Sequence, residues 1–166
     1  MEKKLTKLTK PSDRYKMEIF RVINEAARKY KNRIPDDCYS EPYMPLSEFE
    51  EEMRKMQFYG YFEGGLVGVV GLQHLSDYDV FLIRHLYVLP KFQRRGIGTK
   101  LLKFGIEKSP TPKIYVGTWK AAYWAIKFYE KNGFENLGNE RELLRKYWDV
   151  SERQIEESVV LEYRYI

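Results

Sequence analysis

The sequence predicts a mixed α/β (α+β) fold, and three observations carry that prediction. Apolar residues at helical spacing alternate along the chain with apolar runs at strand spacing. Glycine turns join consecutive strand runs into antiparallel hairpins, while helices between later strands allow parallel pairs, so the sheet is expected to be mixed. With 166 residues, 43% of them hydrophobic and 16% aromatic, the chain can close a real core. Residues 1–166 are therefore expected to form a single domain.

Each element has a local reason. Leu5 and Leu8 in a polar run mark a short first strand. Pro11-Ser12-Asp13 offers a helix start, and Met17, Phe20, Ile23 and Ala27 recur at helical spacing. Arg33 to Pro45 holds Pro35, Pro42 and Pro45 among polar residues and tyrosines, so it reads as a loop long enough to serve function. A short helix should follow, capped by Ser47, with Glu48, Glu50, Glu51 and Glu52 crowding its positive end.

From Gln57 the period shortens. Phe58 to Phe62, the turn Glu63-Gly64-Gly65, and Leu66 to Leu72 read as a hairpin. Ser76 to Asp79 makes a second turn into a strand from Val80 to Val88, which Pro90 ends because it brings no N–H to a ladder. Ile97, Leu101, Leu102 and Ile106 mark one face of a helix stopped by Ser109-Pro110. Lys113 to Gly117 is a short strand. Ala122, Ala125, Ile126 and Tyr129 fall at i, i+3, i+4 and i+7, so a helix is expected over roughly Lys120 to Lys131, with Gly133 as its left-handed cap. Val159, Leu161, Tyr163 and Tyr165 alternate with Glu162 and Arg164 in a half-exposed last strand. The expected order is β-α-α-β-β-β-α-β-α-β, with room for a strand pair near the end.

Composition narrows the function classes. A net charge of +5 suits an anionic ligand, although most basic residues are expected on solvated surface. The sole Cys38 rules out an internal disulfide framework, and His74 and His85 alone offer no metal-ligand spacing, so no metal is expected. The start Met1-Glu2-Lys3-Lys4-Leu5-Thr6 is polar and no stretch reaches membrane-spanning length, so a soluble, cytoplasmic protein without a membrane partner is expected. The 14 tyrosines and the basic balance raise a nucleic-acid module, but the basic residues are scattered among 24 acids without a helix-turn-helix signature. No nucleic-acid partner is expected.

The most informative stretch is Gln93-Arg94-Arg95-Gly96-Ile97-Gly98. Two glycines flanking one residue at a strand-to-helix passage let successive backbone N–H groups turn toward one point, a nest for phosphate oxygens. Neither common nucleotide fingerprint fits. A dinucleotide site wants a third Gly where this chain has Leu101, and a Walker loop wants Gly-Lys-Ser/Thr where it reads Gly98-Thr99-Lys100.

Gln93-x-x-Gly96-x-Gly98 resembles the pyrophosphate loop of the GNAT family, the acetyl-CoA-dependent N-acetyltransferases. Two further motifs agree in order and spacing. Leu86-Tyr87-Val88-Leu89-Pro90 resembles the end of the family's fourth strand, and Ala125 to Phe134 resembles its late helix, which ends in a Tyr followed by Gly-Phe. The resemblance covers nearly the whole chain. It implies a mostly antiparallel central sheet flanked by helices, with splayed fourth and fifth strands.

It also implies roles. Coenzyme A phosphates would lie on N–H groups from Arg94 to Thr99 (Arg94, Arg95, Gly96, Ile97, Gly98 and Thr99), with Gln93 and Phe128 also at the cofactor. Backbone groups of Leu86, Tyr87 and Val88 would take the pantetheine arm, and the Val88 N–H would polarise the acetyl carbonyl. Tyr129 occupies the position of the family's general acid, which protonates the departing thiolate. Acetyl-CoA is the implied co-substrate, and a small-molecule amine or amino acid derivative the implied acceptor, attacked directly in a ternary complex. A monomer or homodimer is expected.

The chain departs from the family in two places. Leu82 and Arg84 fill the fourth-strand positions where relatives carry a basic Glu or His, and neither takes a proton at neutral pH. His85 should point to the opposite face of that strand, and His74 near the mouth is the other histidine; deprotonation through a water chain, or an amine that arrives already neutral, stands open beside them. Ala122 stands where relatives place an Asn that bonds the pantetheine. On the acceptor side, Tyr43 and Met44 would line a pocket and Arg84 would pair with an acceptor carboxylate. The missing base leaves open a catalytically silent acyl-CoA-binding regulatory domain. A protein or peptide amine also remains open as acceptor.

Overall fold

A computed structural model of the chain describes residues 5–7 and 13–165. Leu8 and the helix start expected at Pro11-Ser12 lie outside those residues. The described strands hydrogen-bond in one sheet, in the order β1-β2-β3-β4-β5-β7-β6: β1 Leu5–Lys7, β2 Gln57–Phe62, β3 Leu66–Leu75, β4 Val80–Val88, β5 Ile114–Trp119, β6 Phe134–Gly138 and β7 Ser158–Tyr163. The sheet is mixed and mostly antiparallel, with β4 and β5 as a parallel pair. The registered β4–β5 pairs are Phe81↔Ile114 and Leu82↔Tyr115, at the start of β4. Contacts divide the chain into two compact units: Met1–Lys29, Ser40–Gln73 and Ile83–Lys108 form the first, and Tyr30–Tyr39, His74–Leu82 and Ser109–Ile166 the second.

In the first unit, α1 (Asp13–Ala27) buries Ile19, Val22, Ile23, Ala26 and Ala27, the i, i+3, i+4, i+7, i+8 stripe of an amphipathic helix. The helix α2 (Leu46–Lys55) turns Phe49 and Glu52 inward. Its N-cap is Pro45 and no side chain caps it, so Ser47 lies inside the first turn rather than at the cap. Of the acids expected at its positive end, Glu48 is in the first turn, whereas Glu52 sits two turns in. The hairpin β2–β3 turns through Gly64 and Gly65 as expected. The helix α3 (Ile97–Lys108) packs tightly on β3, because a Cβ at Gly68 would stand 3.0 Å from Leu101 Cδ1 and 3.2 Å from Ile97 Cγ2.

In the second unit, α4 (Tyr123–Lys131) ends at Asn132, and the N–H of Gly133 bonds the Glu130 carbonyl. Two helices between β6 and β7 go beyond the sequence reading: α5 (Arg141–Tyr147) and α6 (Glu152–Glu156). Ser151 caps α6, its hydroxyl accepting the Gln154 N–H at 3.1 Å. Leu144, Trp148 and Ile155 pack with Val80, Leu82, Tyr115 and Val160 in one apolar cluster. Among the described residues, no helix is long and apolar enough to cross a membrane.

Candidate active site

The glycine loop follows β4 through a 3-10 turn, Pro90–Phe92. Arg94 (φ 64°) and Gly96 (φ 80°) adopt left-handed backbone, one residue apart, which makes the alternation a nest requires. The first helical bond of α3 runs from the Lys100 N–H to the Gly96 carbonyl at 3.0 Å. The N–H groups of Ile97, Gly98 and Thr99 therefore have no acceptor within the helix, and the helix dipole favours an anion there. A Cβ built on Gly96 meets nothing within 4 Å. Its conformation selects glycine, and the space above it is open. These donors fit the pyrophosphate of coenzyme A.

Two side chains of the loop, Gln93 and Arg95, are engaged by the protein itself. Gln93 donates from Nε2 to the Val88 carbonyl at 2.9 Å, tying the loop back to the end of β4. The Arg95 guanidinium stands over the Phe92 ring, 5.1 Å from its centroid, and 3.7 Å from Glu63. Leu86, Tyr87 and Val88 are half-buried, and they lie outside the two-pair β4–β5 ladder.

Just before them, β4 breaks its alternation. His85 has φ 52°, a left-handed conformation rare for a residue with a Cβ. Instead of pointing to opposite faces, Arg84 and His85 reach the same atom. Arg84 Nη2 and His85 Nε2 each lie 2.8 Å from Glu52 Oε1. This corrects the expectation for His85, which assumed a regular strand. Arg84 also bonds Gln73 at 3.3 Å, and Lys55 lies 3.7 Å from Glu52 Oε2. Arg84, expected to meet an acceptor carboxylate, is paired with the protein's own.

The electrostatics of this cluster are set by burial and by two cations. Burial opposes the Glu52 charge, but the His85 hydrogen bond and the neighbouring cations outweigh it and hold the carboxyl at about 2. Burial pushes the His85 imidazole below its ordinary value, and the Arg84 charge adds to this against the pull of Glu52. At neutral pH the cluster is an ionised Glu52, a charged Arg84 and a neutral His85.

Tyr129 lies in the second unit, 9% exposed, with its ring edge-on to Phe128 and Phe134. Burial, then the nearby Tyr30, raises its hydroxyl above the ordinary tyrosine value, so it stays a proton donor at neutral pH. Phe128 is packed beside it. Ala122 is fully buried and precedes α4 as its N-cap residue. Met44, expected to line the acceptor pocket, is 3% exposed and packs in the core, with its backbone held by Asn24 at 2.7 and 3.1 Å. Tyr43 beside it is half-buried. His74 is exposed at the surface, 3.3 Å from Asp79.

Glu52 is the residue that sequence reasoning missed. A signal was present, since Glu52 follows Phe49 by three residues and so shares the inward face of α2. Its place in an acidic run made it read as one of several charges at the positive end of the helix.

A family model described as an acetyltransferase (GNAT) domain matches residues 54–136, half of the chain. Similar crystal structures include a GNAT-family acetyltransferase from Staphylococcus aureus Mu50, at 21% identity and TM-score 0.68, covering 96% of this chain and 98% of that one. A Bacillus subtilis acetyltransferase in complex with CoA matches at 20% identity and TM-score 0.65, covering 98% and 99%. The PaiA N-acetyltransferase of Thermoplasma acidophilum, in complex with coenzyme A, matches at 18% and 0.64, covering 99% and 100%. At these identities the structures speak for a shared fold, and the domain model speaks for descent. The chain belongs to the GNAT family of acetyltransferases.

Proposed function

We propose that this chain, acting over residues 1–166 as one domain, is an acetyl-CoA-dependent N-acetyltransferase. It acts on the amine of a small molecule or amino acid derivative, by direct attack in a ternary complex. The observation that carries this reading is the nest at the start of α3, where three backbone N–H groups lack helical acceptors beneath an open left-handed glycine. Acetyl-CoA supplies an acyl group activated as a thioester. Ile97, Gly98 and Thr99 hold its phosphates, and the backbone of Leu86–Val88 orients its arm. The Val88 N–H favours negative charge on the carbonyl oxygen. Tyr129 donates a proton to the departing sulfur, a role that rests on the resemblance of its helix to the family's.

Thermal denaturation tests the cofactor. A ligand that binds only the native state at about 100 times its Kd adds about 2.7 kcal/mol, so coenzyme A and acetyl-CoA should raise the midpoint while NAD and ATP do much less. Thiol release across a panel of amines, polyamines, amino acids, aminoglycosides and peptides then finds the acceptor. Gly96→Val should abolish coenzyme A binding with little loss of fold, because a β-branched residue resists φ 80°. Unchanged affinity in that variant would remove the nest from the reading.

A further inference from the structure

The geometry points to His85 Nδ1 as the general base of the transfer, with Glu52 as the residue that positions the imidazole and fixes its tautomer. This rests on the amine-acetylation reading above and deepens it at the position where the family's usual bases are replaced by Leu82 and Arg84.

The tautomer follows from hydrogen-bond chemistry. An ionised carboxylate only accepts, so the 2.8 Å contact between His85 Nε2 and Glu52 Oε1 requires the proton on Nε2. A neutral ring with its proton on Nε2 carries a bare lone pair on Nδ1. Among the described residues Nδ1 has no hydrogen-bond partner, and no buried side-chain nitrogen or oxygen lacks one. Nδ1 therefore belongs to an atom that solvent or a ligand reaches, on a side chain that is 13% exposed. Phe58 lies nearly parallel to the ring at 6.1 Å and limits its rotation. Glu52 is itself held by Arg84, so the orienting carboxylate is fixed in turn.

The backbone supports the same assignment. His85 occupies a left-handed conformation that is unfavourable for a residue with a Cβ, and such strain gathers at functional sites. The distortion brings the imidazole to Glu52 directly before Leu86-Tyr87-Val88, the segment assigned to the thioester arm.

The step balances as follows. The amine nitrogen attacks the acetyl carbon and forms the N–C bond, while its N–H proton passes to Nδ1. The resulting imidazolium is stabilised by the Glu52 carboxylate. The C–S bond breaks, the sulfur leaves with the electron pair, and Tyr129 or water protonates it. The imidazolium returns its proton to water, and where Tyr129 has served the sulfur it recovers a proton from the same solvent. The charged groups that bear on the ring are Arg84 on β4 and Glu52 on α2, and Glu52 in turn has Glu48 and Lys55 of α2 as its neighbours.

Two measurements test the assignment. Imidazole nitrogen NMR on the full chain needs no acceptor, and the two histidines are told apart with His74→Gln. At pH near 7, His85 should show a protonated Nε2 and an unprotonated Nδ1; a proton on Nδ1 would overturn the proposal. Turnover is then read with the amine that releases most thiol in wild type. His85→Gln carries its amide N–H to about the place of Nε2 and so still donates to Glu52, but it takes no proton, so kcat should fall about 100-fold or more with coenzyme A binding retained. In Glu52→Gln the acidic limb of the kcat profile should move to lower pH, because the imidazolium loses its anion. Wild-type-like kcat and an unmoved limb in both variants would refute the dyad while leaving acetyl transfer standing. Failure of wild type to release thiol with any amine would instead strike the transfer reading itself.

Discussion

His85 and Tyr129 are both titratable side chains kept neutral by burial, and their surroundings could hardly differ more. Burial lowers the imidazole and raises the phenol, each away from its charged form. His85 sits in an ion cluster, bonded to a carboxylate that Arg84 also claims. Tyr129 sits among the rings of Phe128 and Phe134. The contrast teaches that burial sets the protonation state while polar neighbours set which atom carries the proton. Tyr129 has one oxygen and needs no such instruction. A histidine has two nitrogens, and Glu52 decides between them.

The strongest way to break this comparison is to remove the instruction. Glu52→Ala leaves Arg84 and His85 inward-facing without their anion, and truncating one partner of a buried pair costs about 3–5 kcal/mol. Urea denaturation should register that loss, whereas an isosteric Glu52→Gln, which keeps an acceptor oxygen, should lose less. Equal stability of Glu52→Ala and wild type would show that the cluster is solvated in solution.

Tyr129→Phe removes only the hydroxyl and keeps the packed ring. Its stability should stay close to wild type, while turnover falls about 100-fold, equivalent to about 2.7 kcal/mol in the barrier. Full turnover per folded molecule, with chemistry shown to limit the rate, would leave sulfur protonation to solvent.

Acid sharpens the difference between the two neighbourhoods. Glu52 titrates at about 2 in the folded protein against an ordinary 4.5. A lowered folded value means a contribution fully present above 4.5 and lost as pH falls toward 2, since the unfolded chain binds the proton first. His85 acts earlier: below its ordinary 6.5 the unfolded ring takes a proton that the folded ring resists, so stability declines as pH drops past that point. Unfolding free energies of wild type and Glu52→Gln, measured against pH, should converge below about 4.5. Tyr129 contributes nothing in this range, because its hydroxyl is protonated in both states.

The smallest effect is expected at an ion cluster on the surface, where one arginine meets several carboxylates. Arg153 bonds Asp37 at 2.7 Å and Glu157 at 2.8 Å, with its side chain 42% exposed. Water and salt screen such pairs. Arg153→Gln should shift the melting midpoint little, and added salt should erase the shift. A loss comparable to that of Glu52→Ala would mean that burial is not what separates the two clusters.

Local physics made much of this molecule legible from its residues. The hairpin turn at Gly64-Gly65, the nest from Arg94 to Thr99 and the end of α4 near Gly133 each depend on backbone preferences within a few positions. The stripe on α1 depends on a repeat that any window of the chain displays. Tertiary structure decided the rest. Seven-residue α5 and five-residue α6 are too short to hold together alone, and Leu144, Trp148 and Ile155 define their faces only when packed against Val80, Tyr115 and Val160. Glu52 and His85 stand 33 positions apart, and their meeting depends on a left-handed residue inside a strand whose regular alternation would have sent Arg84 and His85 to opposite faces. A distortion of that kind is stabilised by the carboxylate it reaches, so it exists only once the helix bearing Glu52 has packed on the strand.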